Sequence, residues 1–245
     1  MKYEDWKAIY VEKTEMASNK AMPTVNIHNP AVFQQLKSIG KTHYAVVQVI
    51  LANAPNIKAA QVWAKFEDRI KIGATNTKGS AYHKEGVLYF DITEIAKGDV
   101  INKPYQILFH EGAHNIDFLA SEEGKRFSEI YKGGAFLKTI DFEFKELLSS
   151  FQSYEKLRKE WRKYTRIERA ALSDILSGYT DNKVSLGIGH NAEYWTAGGE
   201  SIKSREAFAD FFDAAIANES AYKLLQKYLP KTEVIFEEML DELLK

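Results

Sequence analysis

The chain has no cysteine. Disulfides, cysteine–metal sites and cysteine nucleophiles are therefore excluded, although the compartment is not fixed by that absence. Neither sign of charge predominates: 33 Lys and Arg stand against 34 Asp and Glu, a net −1 at pH 7. General attraction to nucleic acid or to an anionic membrane surface is not expected from such a balance. No apolar run approaches the roughly 18 residues a membrane span needs. The first six residues, from Met1 to Trp6, hold no apolar h-region, which predicts no secretory signal. Internal repeats and low-complexity linkers are also lacking. What is there is a hydrophobic fraction of 45% with 13% aromatics, ample for a core in one large domain or two modest ones.

Residues 2–20 have the pattern of a polar amphipathic helix, interrupted at Met22 and Pro23 and again at Asn29 and Pro30. Val32, Leu36, Tyr44, Val47 and Ile50 give helical spacing over 31–52, with Gly40 as a joint and Pro55 as the stop. Residues 61–72 are ambiguous, though 69–72 alternate like a strand. Residues 73–80 are turn-rich, and 86–91 read as a second strand. The two strands read as a hairpin-like pair. A short helix or turn follows over 92–99. The next helix opens at Lys103 and Pro104, since proline suits a first helical turn, and runs to about Ala120. Residues 127–169 are helical and highly charged, broken near Gly133 and Gly134, with the charges on a solvated face. An apolar helical turn at 170–177 leads to 178–199, whose five glycines read as a long loop. Ser204 suits an N-cap for a helix over 205–217, and two further helices are read over 222–229 and 233–244.

His110, Glu111 and His114 form an H-E-x-x-H motif on the helix that opens at Pro104. Histidines four apart share a helical face, so their imidazoles can hold one zinc ion, and the glutamate beside the first can take a proton from water. Relative to His110, His114 lies about 40° and Asp117 about 20° around the wheel, so all three face one way. Asp117 crowds the same stripe, and its better role is to accept a hydrogen bond from a ligand imidazole. A third protein ligand is needed, with one position left open. The chain offers Glu206 and Asp210, four apart within the apolar run of Ala207, Phe208, Ala209, Phe211 and Phe212. Acids inside an apolar helix are costly unless paired, hydrogen-bonded or metal-bound. Glu206 is accordingly the ligand candidate. Asp210 orients a histidine or caps neighbouring polar groups, and Asp117 and Asp210 stand in reserve as ligands. Hydrolysis through a tetrahedral intermediate also needs a donor for the oxyanion. His190 or Tyr194, in the glycine-flanked stretch that also holds Trp195, can supply it. His83, before the second strand, is a weaker candidate.

The segments 110–117, 171–175, 189–195 and 206–210 resemble, in this order, the metallopeptidase-like domain of phage minor head (head-morphogenesis) proteins and related prophage proteins. More broadly they resemble gluzincins, zinc peptidases whose third ligand is a glutamate on a downstream helix. The resemblance spans roughly 63–218 and does not reach residues 1–60. It implies zinc at His110, His114 and Glu206, Glu111 as general base and acid, and a phage or prophage origin, hence a bacterial cytoplasm or a virion. Two departures stand out. Glu206 follows His114 by roughly ninety residues, much more than in compact gluzincins, so the intervening helices must fold away. The chain also lacks the length for the portal-associated region of a full minor head protein.

The expected fold is α+β and zincin-like: a small, mostly antiparallel sheet, the H-E-x-x-H helix and a mainly helical C-terminal lobe. The expected organisation is an N-terminal helical region over 1–60, then a zincin-like domain over 61–245 with a helical insert at about 121–177. The expected activity is zinc-dependent hydrolysis of peptide bonds in a peptide or protein substrate, with phage head proteins as partners and no part for nucleic acid or membrane. The alternatives are a zinc-stabilised phage head structural protein without turnover, a prophage or polymorphic toxin protease, and a helical binding module in which the motif is fortuitous.

Overall fold

Two helices carry the chemistry-bearing residues, and the remaining elements hold them face to face. The structure, a computed structural model, describes residues 40–74, 81–84, 86–121 and 125–245. The helix read over 2–20 and the breaks at Pro23 and Pro30 lie outside these residues. In chain order the helices are α1 (Lys41–Ala52), α2 (Ile57–Phe66), α3 (Ile92–Lys97), α4 (Gln106–Leu119), α5 (Phe127–Ile130), α6 (Ala135–Phe151), α7 (Tyr154–Trp161), α8 (Arg166–Tyr179), α9 (Ala192–Ala217), α10 (Glu219–Tyr228) and α11 (Pro230–Leu244). Short polar side chains start several of them. Asn56, Asp91, Ser153, Thr165, Asn191 and Asn218 each accept a backbone N–H from the first turn that follows. At Thr165 the bond is reciprocated by Glu168, a capping box.

The strands are β1 (Lys71–Ala74), β2 (Tyr82–Lys84) and β3 (Val87–Phe90), in the order β1-β3-β2. Here the structure corrects the sequence reading. The alternating segments at 69–72 and 86–91 suggest a hairpin, yet β1 and β3 pair in parallel, Lys71 opposite Val87 and Ile72 opposite Leu88. The antiparallel partner of β3 is the three-residue β2, with His83 opposite Leu88. Alternation reports which face a residue takes and says nothing about strand direction. The sheet is thus mixed, and with the helices it makes an α+β fold. Leu88 and Phe90 point from β3 into the core, against the motif helix α4. Asn115 of α4 donates to the Gly86 carbonyl at 2.8 Å and ties the helix to the start of β3.

Helix α9 has two buried faces. Phe208, Phe211 and Phe212 lie on one and are fully buried. Phe208 and Phe211 meet Phe136 of α6 edge to face, with centroids 6.5 and 6.0 Å away, and Phe211 meets Phe236 of α11 at 5.3 Å. Glu206, Asp210 and Asp213 share the other face, since offsets of four and seven residues return to the same side within about 40°. That face meets α4, the most extensive helix pairing in the fold. Trp63 of α2 closes the far side of α4, fully buried and edge-on to Phe109 at 4.8 Å. Gly112 makes this approach possible, because a Cβ there would fall 2.2 Å from the Trp63 ring. Val47, Ile50 and Leu51 of α1 belong to the same buried cluster as Phe208 and Leu240.

Two further corrections concern the run before Glu206. The long loop read over 178–199 is shorter, because α8 extends to Tyr179 and α9 begins at Ala192. Asn191 caps that start and Trp195 packs into the core, which outweighs the glycine content. Ser204 is no N-cap: it is buried inside α9, its hydroxyl donating to the Ser201 carbonyl at 3.0 Å. The break falls instead at Gly199, with φ 62° and ψ −159°. Among the described residues no helix is long and apolar enough to cross a membrane.

Candidate metal centre

Helices α4 and α9 bring three of the expected ligands together. His110 Nε2 lies 3.3 Å and His114 Nε2 3.4 Å from Glu206 Oε2. The imidazole planes stand at 90° with centroids 4.9 Å apart. Ligands about 2.0–2.1 Å from a shared tetrahedral centre stand roughly 3.3 Å from one another, so these separations suit a metal ion bound by all three. Glu206 Oε2 is buried without a hydrogen-bond partner, although imidazole nitrogens surround it. A buried carboxylate oxygen faced by imidazole nitrogens is a place where a shared cation can serve all of them at once. The donor set therefore fits a divalent metal.

A chain of polar side chains fixes His110. Its Nδ1 lies 3.1 Å from Asp213 Oδ2. Asp213 Oδ1 accepts from Gln106 Nε2 at 2.9 Å, and Gln106 Oε1 accepts from Asn218 Nδ2 at 3.2 Å. A hydrogen bond at Nδ1 leaves Nε2 free for a ligand role. Asp210 Oδ1 is 3.6 Å from the same Nδ1, so Asp213 rather than Asp210 orients this histidine. The other oxygen of Asp210 is buried without a partner.

Asp117 does not do what its position on the wheel suggests. It is fully buried, and Ser128 donates to its two oxygens through its backbone N–H at 2.6 Å and its hydroxyl at 2.9 Å. It anchors α5 instead of an imidazole. Burial pushes its carboxyl up to about 6, against the pull of Ser128.

His190 and Tyr194 stack with centroids 3.7 Å apart, and both polar tips turn to Glu206. The Tyr194 hydroxyl donates to Glu206 Oε1, and His190 Nε2 lies 3.5 Å from Oε2. Asp174 of α8 holds the segment, accepting the His190 backbone N–H at 2.7 Å and standing 3.8 Å from Nε2. Gly189, at φ 102°, lets the chain pass this carboxylate, since a Cβ would fall 2.1 Å from Asp174 Oδ1. His83 Nε2 accepts the Gly86 N–H at 3.1 Å, which makes Nδ1 the protonated nitrogen. Burial, with the charges of His114 and Arg126, pulls its pKa down to about 4.

The electrostatics follow from four buried acids, Asp174, Glu206, Asp210 and Asp213, around three histidines. Burial alone would raise Glu206. The fields of the imidazoles, His114 foremost, outweigh it and hold the carboxylate well below its usual range. Burial, reinforced by Asp174, pushes Asp210 well up. Burial would lower His110, but Asp213 and Glu206 overcome it and raise this imidazole well above its ordinary value.

Glu111 faces open space, lining a hollow of about 360 Å³ with His83, His110, His114, His190, Tyr194 and Glu206. A second hollow of about 370 Å³ continues past His110 and Glu111 toward Asp174 and Asp213. Among the described residues, side chains in three groups can hold a metal: His110, His114 and Glu206; His110, Asp210 and Asp213; and Asp174, His190 and Glu206. Sequence reasoning singled out Glu206 and Asp210 but not Asp213, Asp174 or Gln106. The first of these shares the seven-residue spacing from Glu206, and Asp174 is an acid inside an apolar helical turn. Gln106 carries no local signal. Family models, curated proteins and solved structures were compared with this chain, and none matches.

Proposed function

We propose that this chain is a metal-dependent peptide hydrolase of the zincin-like, gluzincin type. The observation that carries the reading is the convergence of His110 Nε2, His114 Nε2 and Glu206 Oε2 beside an open cleft that Glu111 also lines. Two imidazoles and one carboxylate suit zinc, with a position left for water or substrate. When bound there, the ion supplies Lewis acidity that acidifies water and polarises a carbonyl.

The side chains divide the remaining work. Glu111, not held in the ligand set, takes a proton from the attacking water and passes it to the leaving amine. Asp213 holds the His110 ring through Nδ1. Tyr194 fixes the rotamer of Glu206 by donating to Oε1, which leaves Oε2 for the metal. His190, held by Asp174, carries a proton at the rim of the cleft and steadies the oxyanion. The phage or prophage setting implied by the sequence resemblance belongs to the same proposal.

Elemental analysis of protein purified without chelator or nickel affinity tests the metal, and cleavage of a peptide library tests the reaction. About one zinc per chain is expected, lost in His110→Ala/His114→Ala. Glu111→Gln is expected to keep zinc and lose cleavage by at least about a hundredfold. Undiminished cleavage by Glu111→Gln, or a protein that takes up no metal, would overturn the reading.

A further inference from the structure

Two guanidinium groups line the cleft at the metal centre. Arg126 and Arg205 face the same hollow as Glu111, His114 and Glu206. Arg126, just before α5, donates from Nη1 to the His114 carbonyl at 3.2 Å, and its guanidinium lies 4.8 Å over the Phe118 ring. Arg205 immediately precedes Glu206 and donates from Nε to Glu129 Oε1 at 2.6 Å. Both side chains are held in place rather than spread into solvent. They are close enough for Arg205 to disfavour the charge on Arg126. Burial, and then that repulsion, draw Arg126 below the usual guanidinium range. Glu129 is bound to Arg205, and among the described residues no carboxylate forms an ion pair with Arg126. Arg126, favoured by Asp117 and Glu129 but in an ion pair with neither, and Arg205 form a cationic edge on a hollow that Glu111 and Glu206 also line, and such an edge favours an anion.

Beyond His110 the lining changes. The second hollow shares Ala81, His110, Glu111 and His190 with the first, but Asp99, Asp174, Asp210 and Asp213 line it. The groove therefore has guanidinium groups on one side of the candidate ligands and carboxyl groups without them on the other.

We infer that Arg126 and Arg205 form a subsite for a carboxylate carried by the peptide next to the bond that is cut, an inference that rests on the hydrolase reading. A guanidinium fork matches a carboxylate in geometry and charge. The second hollow offers that group no guanidinium, so a peptide with one carboxylate finds its partner on one side of the ligands and enters in one direction. Two sources offer that group: an Asp or Glu side chain within the peptide, and the peptide's own C-terminus.

Peptides of one length separate the sources: neutral with both ends blocked, blocked with one glutamate, blocked with one lysine, and neutral with a free C-terminal carboxylate. Binding is read by fluorescence anisotropy on the Glu111→Gln protein, and cleavage on the wild type. The glutamate peptide, the free-carboxylate peptide or both should bind about tenfold tighter than the blocked neutral one. Whichever of the two gains identifies the source. The gain should shrink toward unity in Arg126→Ala and Arg205→Ala and turn toward the lysine peptide in Arg205→Glu. The wild-type cleavage series shows the same preference, so the test survives a variant that fails to fold. Equal binding of all four peptides, tighter binding of the lysine peptide, or binding of none overturns the inference. Absence of any cleavage by wild type, with the binding preference intact, strikes the hydrolase reading instead.

Discussion

Gly112 sits between the two histidines of the motif, and replacing it with alanine should destabilise the protein. At an ordinary helix position the change would stabilise, because alanine exceeds glycine in helix propensity by about 1 kcal/mol. Here the new methyl would lie 2.2 Å from Trp63 Cζ3 and 2.7 Å from Cη2. Ordinary carbon contact begins near 3.4 Å, so ring and helix must separate by roughly 1–1.5 Å. Trp63 is fully buried with Phe109 edge-on to it, and neither can retreat freely. Overpacking of this kind costs about 1–3 kcal/mol and occasionally more. With a displacement at the upper end, the net loss after the propensity gain is about 2 kcal/mol. For a chain of this size that lowers the melting temperature by about 4–8 °C. Differential scanning calorimetry on matched metal-free samples reads it directly. Because His110 and His114 flank the position, zinc affinity should fall as well. Trp63→Phe removes the ring atoms that clash, so the double variant should recover at least about 1 kcal/mol relative to additivity. If Gly112→Ala melts at or above the wild-type temperature, the packing argument is wrong.

Two predictions concern other groups. Asp213→Asn should keep the fold but weaken zinc binding about 10–100-fold, measured by competition with a chromophoric chelator, because it loosens the hold on His110 Nδ1; unchanged affinity would remove Asp213 from the site. Glu67 is buried, its oxygens without a well-formed hydrogen bond, and burial pushes its carboxyl up to about 7. The folded state thus holds the proton more tightly than the unfolded state, so Glu67 costs nothing below its ordinary pKa and its cost grows as pH rises to about 7. At about 1.4 kcal/mol per pKa unit, the advantage of Glu67→Gln over wild type in urea unfolding should widen by about 2–3 kcal/mol between pH 5 and pH 8. A constant difference across that range would contradict the assignment.

The candidate ligand groups are legible in the sequence because helical spacing settles which residues share a face: His110 with His114, and Glu206 with Asp210. Asp213 has the same spacing, so its face is readable but its partner is not. Which acid meets His110 depends on how α4 and α9 cross, and no local pattern encodes a crossing. Asp117 shows the converse, since the wheel places it on the ligand stripe while Ser128, eleven residues on, takes both its oxygens. Several helices were readable from their apolar spacing, but the helix over 57–66 and the start of α9, like strand direction and the three-residue β2, were not. Arg126 and Arg205 gave no signal, because nothing near either of them in the chain marks a shared cleft.

The break at Gly199 separates two kinds of inheritance in one continuous stretch. In an unbroken helix Tyr194 and Glu206 would stand about 18 Å apart along the axis, yet the Tyr194 hydroxyl reaches the Glu206 carboxylate. The segment from 192 to 198 is therefore a flap turned back over the helix that carries Glu206, built on its own cap at Asn191. A change in this flap therefore reaches the floor of the cleft, because its Tyr194 holds the Glu206 carboxylate and its Trp195 is anchored on Ser177.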